Sequence, residues 1–243
     1  TTAILCAGLV GFTACDSFLD EDPKSSLTLD TYYKTSADII GNVNYLYRDG
    51  APDKMGNMTG AYRGSSLSVM NMVTGYFVNE YEGQEVDCSY ARQLTRQDFT
   101  QSCCNYLTND TWKSCYKSIN VANAVIKYVD GVEMDNQAQY KAEARFFRAL
   151  NYFYLVKMFG DVPMVTEPTE DATLVEYPTR TAASEVFNTV IIPDLQFAVE
   201  NLPNATFAGN SHRVTKYAAD MLLADVYMRL GEYANAVTPL KDV

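Results

Sequence analysis

Cys15 is the residue best placed for covalent chemistry. It follows an uncharged apolar run, residues 3–12, and the small residues Thr13 and Ala14. An apolar run, small residues and then a cysteine have the form of a bacterial lipobox, in which the thiol is acylated and becomes the first mature residue. Phe12 stands where such boxes usually carry leucine. At ~1.5 Å per residue the run reaches only about half of a ~30 Å hydrocarbon core, so it is too short to span one. Residues 1–14 therefore read as the remnant of an export signal and Cys15 as the lipidation site. A buried N-terminal segment is the alternative. Several acyl chains, at about 0.8 kcal/mol per buried CH₂, would hold the protein on a membrane durably.

Other reactive groups are sparse. Once Cys6 leaves with the signal, Cys88, Cys103, Cys104 and Cys115 remain, and an exported chain permits disulfides. A bond within the vicinal pair would be strained, so 88–103 with 104–115, or 88–104 with 103–115, are the preferred pairings. Free buried thiols are the equal alternative. A zinc site lacks the usual two-residue cysteine spacing. His212 is the single histidine, which leaves little for a His-dependent triad or metal centre. No Gly-x-Ser-x-Gly, phosphate-binding loop or Gly-x-Gly-x-x-Gly is present. With 30 acids, no carboxylate pair stands out for glycoside hydrolysis. No catalytic residue, cofactor or metal is assigned.

The charge sum, 19 basic against 30 acidic residues, is −11 with no basic cluster. A phosphate-tracking surface is excluded as the default, and nucleic acid with it. A hydrophobic share of 47% and aromatics at 12% exclude a disordered chain.

Those residues must be carried by helices. Residues 15–26 are polar, include Pro23 and read as a tether. The domain begins at about residue 27, where Thr28 can cap a helix through Tyr32, Ile39, Val43 and Leu46. Between about 49 and 104, Gly50, Pro52, Gly56, Gly60, Gly64, Gly75 and Gly83 break every periodicity, so long functional loops are expected. Asp110 can cap a helix ending at Asp130-Gly131. Asp135 can cap the next, ending at Phe159-Gly160. That helix is apolar over most of its girth, apart from a stripe of Lys141, Arg145 and Arg148, so it is central and buried. Thr181 can cap a fourth helix running to Leu202-Pro203, with a kink near Ile192 imposed by Pro193. Leu223, Ala224, Tyr227, Gly231, Tyr233 and Ala236 fit the tetratricopeptide helix-turn-helix pattern. The small residues allow close crossing, and the two tyrosines are expected to fill the groove beside them. A single repeat leaves a face unburied and normally needs a cap. The chain, ending at Val243 inside the second helix, is expected to be the N-terminal part of a longer protein.

Several segments in fixed order carry a resemblance. They are Cys15-Asp16-Ser17-Phe18-Leu19-Asp20-Glu21-Asp22-Pro23; Trp112-x3-Tyr116-x2-Ile119-x3-Asn123; and Ala142-Glu143-Ala144-Arg145-Phe146-Phe147-Arg148-Ala149-Leu150-x-Tyr152. Leu155-Val156-x2-Phe159-Gly160-Asp161-Val162-Pro163, Asp194-Leu195 and Arg213-Val214-Thr215-Lys216-x-Ala218-Ala219 follow. Over residues 15–243 the sequence resembles the N-terminal half of the SusD/RagB family of outer-membrane nutrient-binding lipoproteins. The resemblance implies an all-α, tetratricopeptide-like superhelix with long irregular loops. It also implies a non-catalytic role: capturing a glycan at the cell surface for a SusC-like TonB-dependent transporter and closing over it as a lid. RagB-type relatives extend the ligand class to peptides.

Sugar recognition needs flat aromatic faces for the apolar sides of the rings and polar side chains for the hydroxyls. One face burying ~50–100 Å² contributes about 1–2.5 kcal/mol, so several must act together. The loop region offers Tyr62, Arg63, Tyr76, Asn79, Tyr81, Asp87 and Tyr90 as candidate ligand contacts. Tyr116, Tyr152, Tyr154, Tyr227 and Tyr233 are expected to pack between helices, as is Trp112. Glu143, Arg145 and Arg148 are expected to pair structurally. His212 belongs to a surface loop. The competing function is an exported tetratricopeptide scaffold that binds a protein or peptide. A glycosidase would need two carboxyl groups ~5–10 Å apart in a cleft.

Overall fold

A computed structural model describes residues 29–48, 74–76, 95–97, 101–169 and 178–243, with backbone alone for 101–110. The export remnant, Cys15, the tether, Thr28 and most of the 49–104 region lie outside the described residues. Among the described residues the structure is helical, with no strand beyond one antiparallel bridge between Val162 and Thr181.

The first expected helix is two. A short α1 (Leu29–Tyr32) stops before Thr35, and α2 runs Ser36–Arg48. The break has a local cause in Thr35-x-x-Asp38. The Thr35 N–H and hydroxyl donate to the Asp38 carboxylate at 2.8 and 2.7 Å, and the Asp38 N–H reaches back to Thr35 Oγ1 at 3.4 Å. This reciprocal cap starts a new helix where the sequence could have continued the old one. Hydrogen bonds from Thr35 hold the Asp38 carboxyl below its ordinary range.

Helix α3 (Gln101–Tyr128) begins nine residues before the expected cap. Asp110 lies inside it, because no Gly or Pro interrupts residues 101–128. A 3₁₀ turn, Val129–Gly131, ends it as expected. Helix α4 (Gln137–Phe159) starts from Asn136, in the left-handed region at φ 56°, rather than from Asp135. In place of a side-chain cap, the Gln137 amide ties the turn by donating to the carbonyls of Val129 and Val132, at 2.7 and 3.0 Å. Helix α4 ends at Gly160, whose φ of 69° favours a residue without Cβ.

Helix α4 is the centre of the fold. It packs against α2, α3 and the Pro193 helix. Nearly every residue from Ala142 to Val156 is buried. Ala142, Ala144 and Ala149, fully buried, let neighbours approach, while Phe146, Phe147, Tyr152 and Leu155 fill the layers between.

The fourth expected helix starts as α5 (Ala183–Val186), passes through a π-helical turn (Phe187–Ile191) and continues as α6 (Ile192–Asn201). The π turn immediately precedes Pro193, where the missing N–H breaks helical bonding, as the proline predicted. Its cap differs from expectation. Thr181 bonds its backbone to Val162 at 3.2 and 2.9 Å, and the Ala183 N–H donates to the Asp161 carboxylate at 2.9 Å.

The last two elements, α7 (Lys216–Arg229) and α8 (Tyr233–Asp242), form the expected hairpin, turned at Gly231 with φ 74°. Ala224 and Ala236 are buried at their crossing, and Tyr227 is buried with them. Tyr233 is not: it is 70% exposed, on a stripe with Val237 and Leu240. These residues sit four and seven positions apart on α8, the side facing away from α7.

Cys115 corrects the disulfide pairings. It is a buried free thiol, and burial pushes its pKa up to about 12. Cys103 and Cys104 lie on the same continuous helix, eleven and twelve residues earlier. At ~1.5 Å per residue they are ~16–18 Å away, and a disulfide needs α-carbons within about 7 Å.

Candidate functional site

The residues that carry the sequence motifs come together as three polar locks in the helical frame. The first holds the strap that follows α4, residues 161–169. The Tyr152 hydroxyl donates to the Val165 carbonyl at 2.8 Å and accepts from the Val165 N–H at 2.7 Å. Tyr116 donates to the Pro163 carbonyl at 2.7 Å. The Asn123 amide donates to the carbonyls of Val165 and Glu167 at 3.0 and 3.2 Å, and the Thr169 N–H donates to Asn120 Oδ1 at 2.7 Å. Trp112 packs its ring on Tyr116 and Phe159, with centroids 5.0 and 5.2 Å apart. Beyond the bridge at Val162, the extended segment thus finds its backbone partners in side chains of α3 and α4.

The second lock joins α4 to α6. Arg148 grips Asp194 with two parallel bonds, Nε to Oδ2 at 2.6 Å and Nη2 to Oδ1 at 2.9 Å, and donates from Nη1 to Asn123 Oδ1 at 2.9 Å. Asp194 is buried, which pushes its carboxyl up, while the hydrogen bond and charge of Arg148 oppose that shift. Arg145 stands 3.8 Å from the same carboxylate and stacks on Phe197 at 4.2 Å. Asn123 serves both locks, which couples the strap to the helix pair.

The third lock joins α2, α4 and the segment before α7. Glu143 is fully buried and accepts from Arg213 Nε at 3.0 Å and Nη2 at 2.5 Å. It also accepts from Tyr47 at 3.0 Å and Gln139 at 3.1 Å. The guanidinium stacks on Tyr47 and Tyr140 and donates to Asn44 Oδ1 at 2.8 Å. The Tyr47 hydroxyl also receives the Val214 N–H at 2.9 Å. Burial, then the Glu143 charge, raises the Tyr47 pKa above the ordinary phenol range.

These contacts set what the frame can do chemically. Among the described residues Glu143, Asp194 and Asp220 are the carboxylates best isolated from water. Glu143 and Asp194 are taken up by guanidinium bonds, so neither is free to donate or accept a reacting proton, and Asp220 faces Lys216 at 4.0 Å. The expected structural pairing of Glu143, Arg145 and Arg148 is observed. Among the described residues no group of three or more His, Cys, Asp and Glu could hold a metal ion, and no helix is long and apolar enough to cross a membrane.

Of the candidate ligand contacts, Tyr76 is described. It sits at a turn after Gly75 (φ 78°) and is 89% exposed. Tyr62, Arg63, Asn79, Tyr81, Asp87 and Tyr90 lie outside the described residues, as do Cys15 and Cys88. Tyr116, Tyr152, Tyr154 and Tyr227 pack between helices as expected. His212 is exposed, its ring edge-on to Phe207 at 5.2 Å. The residue that sequence reasoning missed is Tyr47, which binds Glu143 and Val214 at separations of about a hundred residues or more.

Together these features define an all-helical scaffold whose motif residues position the chain against itself. Residues 17–228 match the SusD-like family described as "starch-binding associating with outer membrane", and the chain belongs to that family. It is 28% identical over 238 residues to SusD-like protein P2 of Formosa agariphila, spanning 97% of this chain and 44% of that protein. A SusD-like protein of Bacteroides ovatus is also 28% identical, spanning 98% and 40%. The chain therefore spans less than half the length of the curated relatives it matches. Among solved structures, a laminarin-binding SusD-like protein superposes with a TM-score of 0.72 at 25% identity, over 86% of this chain and 43% of the other. Surface glycan-binding protein A from Bacteroides fluxus shares the fold, with a TM-score of 0.66 at 22% identity, over 82% and 41%.

Proposed function

We propose that this protein captures oligosaccharide or polysaccharide at the outer membrane and delivers it, chemically unchanged, to a SusC-like TonB-dependent transporter. The observation that carries the reading is the family match over residues 17–228. The laminarin-binding relative at 25% identity supports it. In this reading Cys15 carries the lipid anchor, and Tyr62, Arg63, Tyr76, Asn79, Tyr81, Asp87 and Tyr90 contribute ring faces and polar groups to the ligand site.

The test uses the full-length protein. Retention in gels cast with starch or laminarin, with no reducing sugar released, is the expected outcome, together with co-purification of an outer-membrane barrel and incorporation of labelled palmitate that Cys15→Ser abolishes. Failure to bind any polysaccharide, with no barrel partner, would overturn the reading. A second reading, an exported helical scaffold for a protein or peptide, is favoured by one observation: the exposed apolar stripe Tyr233, Val237 and Leu240 on α8.

A further inference from the structure

A second place on the molecule has the chemistry of a sugar subsite, away from the loop tyrosines. Between α1, α2 and α3 lies a groove of about 290 Å³, and among the described residues no Asp, Glu, Lys or Arg lines it. We infer that this groove holds one neutral sugar ring of a longer glycan, stacked against Tyr32 and hydrogen-bonded by Asn42 and Asn120. The inference rests on the carbohydrate reading above.

Three observations converge on that ligand class. The first is a fixed aromatic surface. Tyr33 is buried and stacks on Tyr128 with centroids 5.2 Å apart and planes within 6°. Tyr32 stands edge-on to Tyr33 at 5.0 Å and keeps 38% of its surface exposed. The buried pair sets the position of its neighbour, which leaves a partly exposed ring available to an apolar sugar face.

The second is a matched pair of carboxamides. Asn42 donates its amide to the Tyr32 hydroxyl at 3.2 Å and to the Asp38 carbonyl at 2.9 Å. Its Oδ1 has no partner among the described residues and is available to accept. Asn120 is the converse: its Oδ1 takes the Thr169 N–H at 2.7 Å, so its NH₂ group is available to donate. An acceptor and a donor beside one aromatic face suit a hydroxylated ring, whose hydroxyls give and receive.

The third is the rest of the lining. Val121 and Ala124 supply apolar wall, and the described lining, which carries no charged group, offers nothing to compensate a phosphate, a metal ion or a charged side chain. A neutral amphipathic ring leaves no unpaired charge in such a site.

The experiment titrates laminarihexaose and maltohexaose calorimetrically into the full-length protein, as wild type, Tyr32→Ala and Tyr32→Phe, with the thermal midpoint of each recorded. For whichever hexasaccharide the wild type binds, Tyr32→Ala is expected to weaken affinity five- to tenfold, the loss of one ring contact. Tyr32→Phe, which keeps the ring, is expected to stay within twofold. Should Tyr32→Ala fold poorly, Val121→Gln narrows the groove from a half-buried position and carries the same expectation. Binding by the wild type with unchanged affinity in Tyr32→Ala would overturn the groove while leaving the carbohydrate reading intact. So would a fall in thermal midpoint without a fall in affinity, the sign of a groove filled by the protein's own chain. Binding of neither hexasaccharide by the wild type would overturn the inference at its base.

Discussion

The central layer of α3, α4 and α6 and the terminal hairpin of α7 and α8 are built from the same helical material and treat their surfaces in opposite ways. In the centre, charges are taken inside and closed off: Arg148 and Asp194 meet at 2.6 and 2.9 Å, and Glu143 is fully buried under Arg213. In the hairpin, apolar groups are left outside: Tyr233 is 70% exposed, and Leu240 and Val237 45% each. A buried ion pair contributes little net stability against an apolar replacement of the same volume, yet losing one partner strands a charge without water. The centre is therefore specific about geometry and intolerant of single changes. The hairpin's outer stripe has no comparable partner among the described residues and tolerates change. Motif residues cluster in the first region because there they fix the strap and the helix pairs to one another.

The sharpest way to break this comparison is Arg148→Ala. Leaving Asp194 buried without its two hydrogen bonds, with Arg145 at 3.8 Å as its remaining counter-charge, should lower unfolding stability by about 3–5 kcal/mol, read as a shift in the urea midpoint at constant slope. A loss near that of an exposed arginine would dissolve the contrast. Tyr152→Phe comes next, at about 1–3 kcal/mol, because it strands the N–H of Val165 and leaves the Val165 carbonyl with the Asn123 amide alone.

Cys115 gives a pH signature. Its folded pKa, pushed up to about 12 by burial, lies above the unfolded value, so its contribution is complete below the unfolded pKa and fades as pH rises. The stability advantage of wild type over Cys115→Ala should shrink by about 1.4 kcal/mol per pH unit between the two pKa values. Gly160→Ala follows at about 1 kcal/mol, from forcing a Cβ into φ 69°. The smallest effect belongs to the other region: Leu240→Lys on the α8 stripe should change stability by less than about 0.5 kcal/mol. A large loss there would show that the stripe is engaged.

What could be read from the sequence follows the range of the interaction that decides each feature. The buried girth of α4, its stop at Gly160 and the break before Pro193 are local consequences of residue type, and the structure has all three. Boundaries set by competition were harder. Thr35 starts a new helix through a reciprocal cap that an apolar periodicity conceals. Asp110 looks like a cap, but no breaker stops the helix upstream of it. Asp161 caps α5 from twenty-two residues away, outside the span in which caps are sought. Tyr47 meets Glu143 and Val214 only in the folded chain. Tyr233 has the type and spacing of a groove filler, but burial depends on a neighbour, and its own hairpin supplies none. For the ligand site, sequence nominated tyrosines among glycines, and Tyr76 has the exposure such a role requires.

The most direct test of the central claim, that a helical frame presents a carbohydrate site without catalytic chemistry, is affinity electrophoresis of the full-length protein. The gels carry a panel of neutral polysaccharides that includes starch and laminarin, and eluted glycan is assayed for new reducing ends. Retardation in at least one gel, with the polysaccharide intact, is the predicted result. Free migration through every gel, or cleavage of the retained polymer, would contradict it.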